Sequence, residues 1–166
     1  MRHYLWGMPG SGKSTLGRAW AMRLGIAFVD MDEAIVSRAG KSIPDIFDQD
    51  GEPWFRMLER SELHRTAHLS EAVIATGGGT PIFYDNARWM LGQGRCYYLE
   101  LPIDVLAQRI KRRPGSRPLL DRPDWYNHLG DTLLARSAYY RQAHVILPRS
   151  EQRIGRLPAA MHSGAY

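Results

Sequence analysis

The pattern of apolar and polar positions along the chain predicts strands that alternate with helices. Short runs of apolar and β-branched residues, typical of buried strands, occupy residues 4–6, 26–30, 72–75, 95–101 and 145–147. Segments with apolar positions at helical spacing lie between them, at residues 14–24, 33–39, 42–47, 54–69, 85–91, 104–112 and 125–140. This alternation predicts an α/β fold with three layers, in which helices cover both faces of a parallel sheet.

Two stretches lack such a pattern. Residues 113–124 hold three prolines and a glycine, which predicts a loop. Residues 157–166 show no periodicity, and we expect a loose tail there. The length of 166 residues suits one compact domain, so we predict a single domain over residues 1–166.

The composition is that of a globular protein, with 44% hydrophobic and 23% charged residues. The single cysteine, Cys96, excludes an internal disulfide and favours a reducing compartment. The chain enters its first strand without room for a signal peptide. No apolar stretch approaches the roughly 20 residues that a membrane span needs. We therefore expect a cytoplasmic protein that does not associate with membranes.

The net charge of +5 raises the question of nucleic-acid binding. Six of the 22 basic residues lie between Arg109 and Arg122, and the chain has no basic amphipathic helix or interleaved aromatic and basic residues. A local cationic cluster of this kind favours a small polyanion as the partner rather than nucleic acid.

The segment Gly7–Thr15, GMPGSGKST, fits the phosphate-binding pattern G-x-x-x-x-G-K-[ST] directly after the first strand. Its glycines let the backbone aim N–H groups at phosphate oxygens, and the following helix adds its N-terminal dipole. Lys13 is placed to reach the β- and γ-phosphates, and the Ser14 hydroxyl suits Mg²⁺. The loop predicts a bound nucleotide, but it does not name the acceptor of a phosphoryl group.

Asp30 and Asp32 follow the second strand, whose carboxyl end opens onto the ligand crevice in a parallel sheet. If the extended conformation persists, alternation turns both carboxylates the same way. One carboxylate then helps to bind hydrated Mg²⁺, and the other accepts a proton from a substrate hydroxyl. The alternative is that Asp32 only caps a helix that begins at Glu33.

The glycine triplet Gly77–Gly79 ends the third strand. It predicts exposed backbone N–H groups and space for the close approach of a ligand, with a flexible turn as the alternative. No acidic residue ends this strand, in contrast to the usual second nucleotide-binding motif. Asp30 therefore has to supply the carboxylate near the metal.

Three arginines are candidates for anion binding. Arg56 and Arg136, on predicted helices, suit bidentate capture of a carboxylate, although isolated helical arginines are more often solvated. Arg117 lies in the proline-rich loop, which either closes over ATP or remains a mobile surface loop. Three histidines without zinc-ligand spacing are expected at the surface or in the core: His64, His68 and His128.

Together these motifs resemble the shikimate kinase family, from the first strand to about Val145. The resemblance rests on the segments GMPGSGKSTLGR, FVDMD, SIPDIFDQDGEPWFRMLE, ATGGGTP, RPLL and RSAYY. It implies a nucleoside-monophosphate-kinase-like fold with a five-stranded parallel sheet. It also implies that a monomer uses ATP and Mg²⁺ to phosphorylate the 3-hydroxyl of shikimate, in the aromatic amino-acid pathway.

The resemblance also implies roles for individual residues. The implied ATP site comprises Gly10, Ser11, Gly12, Lys13, Ser14, Thr15, Arg109, Arg117 and Arg153. The implied shikimate site comprises Asp32, Phe47, Phe55, Arg56, Glu59, Gly77, Gly78, Gly79 and Arg136. The implied catalytic residues are Lys13, Asp32 and Arg117, and the implied Mg²⁺ ligands are Ser14 and Asp30. Substrate-binding helices are expected over residues 31–60 and a lid over residues 112–124.

The chain departs from the family pattern in three places. The lid, Arg112 to Arg122, is short and proline-rich, so Arg109 is the expected neighbour of adenine, with Arg113 as the alternative. The motif R-x-P-x-Y has Ala138 where the proline is usual, and the C-terminal arginine–proline segment has no clean match. Two other functions remain open from the sequence: a gluconate kinase or similar small-molecule kinase, and a nucleotide-binding regulator without catalytic activity.

Overall fold

Five parallel strands form one sheet in the computed structural model, which describes residues 1–112 and 123–162. The strands are β1 (Arg2–Trp6), β2 (Ala27–Asp30), β3 (Ala72–Ala75), β4 (Arg95–Leu99) and β5 (Val145–Leu147). Their order across the sheet is β2-β3-β1-β4-β5, and every neighbouring pair is parallel. The predicted five-stranded parallel sheet is thus confirmed.

Helices connect the strands and lie on both faces of the sheet. They are α1 (Lys13–Leu24), α2 (Met31–Ala39), α3 (Ile43–Gln49), α4 (Glu52–Arg65), α5 (Asn86–Gln93), α6 (Ile103–Lys111), α7 (Trp125–Tyr140) and α8 (Ala159–His162). Single 3₁₀ turns occur at Thr66–His68 and Arg149–Glu151. Within the described residues, no helix combines the length and the apolar character that a bilayer crossing requires.

The core consists of two apolar layers, one on each face of the sheet. Successive side chains of β1 point to opposite faces, so Tyr4 and Trp6 join one layer while Leu5 joins the other. The first layer packs against α5, α6 and α7, and the second contains Trp20 and other residues of α1. This arrangement confirms the three-layer α/β/α architecture.

Two helices begin two residues earlier than the sequence pattern predicts. Helix α2 begins at Met31 because the Asp30 side chain accepts hydrogen bonds from the backbone N–H groups of Asp32, at 3.0 Å, and Glu33, at 3.4 Å. Helix α4 begins at Glu52 because Pro53 stands in the first turn, where its missing N–H costs nothing.

The expectation of a loose tail from residue 157 is wrong for its first part. Leu157 and Met161 are each less than a tenth exposed and pack in the same apolar layer as Trp20. Two apolar side chains four residues apart are too few to register as a periodic pattern, but they cover the α1 side of the core. Residues 163–166 lie outside the described part of the chain.

Candidate active site

A cavity of about 1340 Å³ opens where β1, β2 and β3 reach their carboxyl ends. The charged side chains in its lining are Lys13, Asp30, Asp32, Asp48, Arg56, Arg109, Arg112 and Arg136. These described residues give five basic groups against three acidic ones. The cavity is therefore suited to anionic ligands.

The phosphate loop lies along one side of this cavity. Gly10 and Gly12 have φ values of 83° and 96°, which side chains with a Cβ rarely adopt. Lys13 is buried, and its ammonium group donates to the carbonyl oxygens of Gly7, at 2.8 Å, and Met8, at 3.0 Å. The first turn of α1 contains no acidic residue that would offset the positive end of the helix dipole. The loop thus has the geometry of a phosphate cradle.

Members of the predicted ATP site differ in their access to the cavity. Gly10, Gly12, Lys13, Ser14 and Thr15 line it, whereas Ser11 is fully buried behind the loop.

Asp30 and Asp32 both line the cavity, but not by the alternation that the sequence suggests. The extended conformation ends at Asp30, and Asp32 stands in the first turn of α2. The cap of this helix is Asp30 rather than Asp32. Since Asp30 Oδ1 accepts the two N–H bonds, its second oxygen is the one available for a metal.

The residues present fit a magnesium ion. Ser14 and Asp30 supply a hydroxyl and a carboxylate oxygen on the same cavity wall. No group of three or more His, Cys, Asp or Glu side chains capable of holding a metal occurs among the described residues. A small number of protein oxygen ligands suits Mg²⁺, because this ion usually keeps several water ligands and also binds substrate phosphates.

The glycine triplet provides space for side chains of the site. A Cβ added to Gly77 would lie 2.5 Å from Glu59 Oε1, and one added to Gly79 would lie 2.5 Å from Arg56 Nη1. A Cβ on Gly78 would lie 3.0 Å from Arg136 Nη1. Of the three glycines only Gly78 lines the cavity. The triplet therefore serves mainly to bring these side chains together, which differs from the expected role of exposing N–H groups to the ligand.

Arg56 lines the cavity from α4 and is held on several sides. Its guanidinium donates to Glu52 and to Glu59, and it lies 3.9 Å above the ring centre of Phe83. Glu59 is buried and accepts a second hydrogen bond, from the Thr80 hydroxyl at 2.6 Å. Glu59 does not line the cavity; it holds Arg56 in place.

The two phenylalanines of the predicted substrate site also differ in whether they line the cavity. Phe47 lines the cavity, whereas Phe55 is buried among apolar residues of α2 and α3. Their ring centres are 4.7 Å apart, so Phe55 supports the exposed ring of Phe47 from behind.

Arg136 enters the cavity from α7, on one stripe with His128 and Thr132. These positions are four residues apart and lie one turn above another. His128, expected at the surface or in the core, is half-buried and lines this cavity. Its spacing from Arg136 is the signal that could have identified it.

Arg109 of α6, the predicted neighbour of adenine, lines the cavity. Its Nη1 donates to the Ser11 carbonyl oxygen at 3.0 Å, behind the phosphate loop. Burial, and then the charge of Arg149, lower the pKa of Arg109 from its ordinary value.

Arg153 does not line the cavity, although both its neighbours, Gln152 and Ile154, do. The Arg153 side chain donates to the Ser150 carbonyl oxygen instead. Gln152 was not predicted; its amide N–H₂ donates to two carbonyl oxygens, while its buried Oε1 has no hydrogen-bond partner. Arg117, Arg113 and most of the predicted lid lie outside the described residues.

A cavity that joins a phosphate loop to an arginine-lined acceptor side defines a phosphate-loop kinase for a small anionic molecule. Comparison with known proteins narrows this class. The family model described as shikimate kinase matches residues 9–157. A shikimate kinase of Bacteroides thetaiotaomicron is 37% identical over 154 residues, which are 91% of this chain and 88% of the relative. This chain belongs to the shikimate kinase family.

Solved structures agree with this assignment. A shikimate kinase structure from Bacteroides thetaiotaomicron covers 91% of this chain and 88% of its own, with 37% identity and a TM-score of 0.86. A shikimate kinase from Acinetobacter baumannii in complex with shikimate has 36% identity and a TM-score of 0.82, and the match covers 88% of this chain and 82% of that one. A gluconokinase from Sinorhizobium meliloti shares only the fold, with 19% identity and a TM-score of 0.57 over 93% of this chain and 85% of its own.

Proposed function

We propose that this chain transfers the γ-phosphoryl group of ATP to the 3-hydroxyl of shikimate, with the following roles for its residues. The observation that supports these roles best is the meeting of Arg56 and Arg136 beside Gly79 and Gly78, in the same cavity as Lys13. Two guanidinium groups bind a carboxylate through directed, charge-assisted hydrogen bonds.

On the donor side, residues 10–15 hold the ATP phosphates through backbone N–H groups and the Lys13 ammonium. Lys13 exchanges its bonds to the loop carbonyls for phosphate oxygens. Arg109 flanks the adenine together with Ile154, which also lines the cavity. Arg117 is proposed to reach the transferring phosphate from the lid. Arg153, whose side chain turns away from the cavity, is the weakest member of the set.

On the acceptor side, Arg56 and Arg136 fix the shikimate carboxylate, and Phe47 and Gly78 contact the ring. Asp32 accepts the proton of the 3-hydroxyl as that oxygen attacks the γ-phosphorus. Asp32 lies in the first turn of α2, and its Oδ1 is 3.4 Å from the position of a Cβ on Gly77. This contact places the Asp32 carboxylate beside the glycine segment, which supports a role for Asp32 at the acceptor side of the cavity.

Ser14 and the free oxygen of Asp30 are proposed to hold Mg²⁺. The ion offsets the charge of the phosphates while ATP is bound. The chain's own contribution is positioning: the loop orients the donor and the arginines orient the acceptor, so the reacting atoms are held close together.

A coupled assay of ADP release, run with shikimate and with gluconate, tests the proposal. Turnover with shikimate and none with gluconate is expected. Activity with gluconate alone would contradict the acceptor, and ATP binding without turnover on either acid would support a non-catalytic regulator. We further propose a cytoplasmic monomer, for which sedimentation at working concentration should give a mass near 18.9 kDa.

A further inference from the structure

Tyr140, the last residue of α7, lies beneath the acceptor side of the cavity without lining it. Its side chain is fully buried, and its hydroxyl donates to the Gly78 carbonyl oxygen at 2.6 Å. Its ring stacks on Tyr98 of β4, with 5.0 Å between the ring centres. The hydroxyl is thus fixed at the backbone of the glycine segment.

Arg136 stands one helical turn before Tyr140, on the same side of α7. Burial raises the pKa of Tyr140 to about 12, and both the charge of Arg136 and a hydrogen bond from it oppose this rise. The phenol therefore stays protonated at neutral pH. A protonated phenol can donate to Gly78 and accept from Arg136 at the same time.

We propose that Tyr140 is a positioning residue, whose hydroxyl ties the Arg136 guanidinium of α7 to the Gly78 backbone after β3. This inference rests on the proposed role of Arg136 in binding the substrate carboxylate. Arg136 is only half-buried. If the ligand has to order such a long side chain, the lost conformational entropy weakens binding. The Tyr140 hydroxyl orders it beforehand.

The test is Tyr140→Phe, which keeps the ring and its stacking but removes the hydroxyl. We expect the KM for shikimate to rise roughly tenfold, as loss of a charge-supported hydrogen bond predicts. The kcat and the KM for ATP should stay within about twofold, since Lys13 and Asp32 are untouched. Tyr139→Phe is the matched control, because Tyr139 is the adjacent tyrosine of α7 and is 39% exposed.

A double-mutant cycle separates positioning from a general loss of packing. If Tyr140 acts through Arg136, Tyr140→Phe should add nothing to the KM of Arg136→Ala. An unchanged KM in Tyr140→Phe, or the same tenfold rise in both backgrounds, would overturn the inference. An unchanged KM in Arg136→Ala would instead refute the proposed clamp itself, so the two failures are distinguishable.

A second variant covers the case in which Tyr140→Phe does not fold. Arg136→Lys keeps the charge and leaves Tyr140 in contact with Gly78, but an ammonium lacks the planar fork that serves two partners. We expect its KM for shikimate to rise at least fivefold. A wild-type KM would overturn the inference, because no planar fork would then have to be ordered by Tyr140. It would leave a clamp that works by charge alone, unlike an unchanged KM in Arg136→Ala.

Discussion

Glu59 and Arg56 form an ion pair inside the protein, with 2.9 Å between Oε2 and Nη1. Glu59 is 1% exposed, and its other oxygen accepts from Thr80. On its outer side Arg56 pairs with Glu52, whose side chain is half exposed. Arg56 is therefore held by two carboxylates in different environments, and only the buried one fixes it against the glycine segment.

Glu59→Gln should weaken shikimate binding far more than Glu52→Gln. Glutamine keeps the size of the side chain but leaves Arg56 without its buried counter-charge, which should lower the free energy of unfolding by about 2–3 kcal/mol. The KM for shikimate should rise about tenfold or more. The matched control, Glu52→Gln, removes a charge that solvent screens, and it should lower the free energy of unfolding by less than about 1 kcal/mol. Equal effects of the two substitutions in steady-state kinetics and urea unfolding would contradict this difference.

Asp32→Asn should reduce kcat by at least about 100-fold, because an amide cannot accept the hydroxyl proton. The KM for ATP should stay nearly constant, since Asp32 is not part of the phosphate loop. Asp48→Asn is the control, because Asp48 also lines the cavity but has no proposed chemical role. Initial rates at saturating shikimate measure the effect, and a kcat within threefold of wild type would remove Asp32 from its role.

The sequence predicts the features of this site that are local. The phosphate loop, the acids beyond β2 and the order of strands and helices all follow from spacing within short segments. The hydrogen bond between Glu59 and Thr80 joins residues 21 positions apart, and no local pattern signals it. The same holds for Leu157, which is buried in one apolar layer with Leu16 and Trp20 of α1. These residues are far apart in the chain and meet only when it folds.

Asp30 and Asp32 illustrate a second limit. Both positions are acidic and both follow β2, so the sequence leaves open which of them caps α2. The choice depends on where the extended backbone turns into a helix. Strand β2 ends at Asp30, whose side chain caps α2, and the helix begins at Met31, which is fully buried. The position of this turn in the folded chain therefore decides which of the two carboxylates caps the helix.

Gly79→Ala should impair the site, although the backbone conformation of Gly79 is accessible to alanine. The new Cβ would lie 2.5 Å from Arg56 Nη1 and 2.9 Å from its Cζ. The Arg56 guanidinium stacks on Phe83 and is hydrogen-bonded to Glu59, so it cannot easily move away from the new Cβ. We expect kcat/KM for shikimate to fall more than tenfold and stability to fall by about 1–3 kcal/mol.

Gly92→Ala is the control for this substitution. Gly92 lies in α5, and a Cβ there would meet nothing within 4 Å. Alanine should leave kcat/KM unchanged and raise the free energy of unfolding by up to about 1 kcal/mol. If Gly79→Ala kept wild-type kcat/KM, the close packing of Arg56 against the triplet would not matter for the reaction.

His3 of β1 should make the stability of the protein depend on pH. Burial, followed by the charges of the N-terminus and Arg95, lowers the pKa of His3 from 6.5 to about 4. The unfolded chain, with the ordinary pKa, therefore binds more protons than the folded chain between these values. The free energy of unfolding should be unaffected above pH 6.5 and should decrease as the pH falls from 6.5 towards 4.

His3→Gln isolates this contribution, because glutamine can still bond to the Tyr97 hydroxyl that His3 Nδ1 contacts at 3.1 Å. Between pH 7 and 4.5 the wild type should lose about 2 kcal/mol more than the variant, after allowance for partial solvent screening. His68→Gln, at an exposed position, should show the wild-type dependence. Since His3 does not line the cavity, the KM values of the His3 variant should match wild type. Urea unfolding across this range measures the slopes, and parallel curves for wild type and His3→Gln would rule out His3 as the cause.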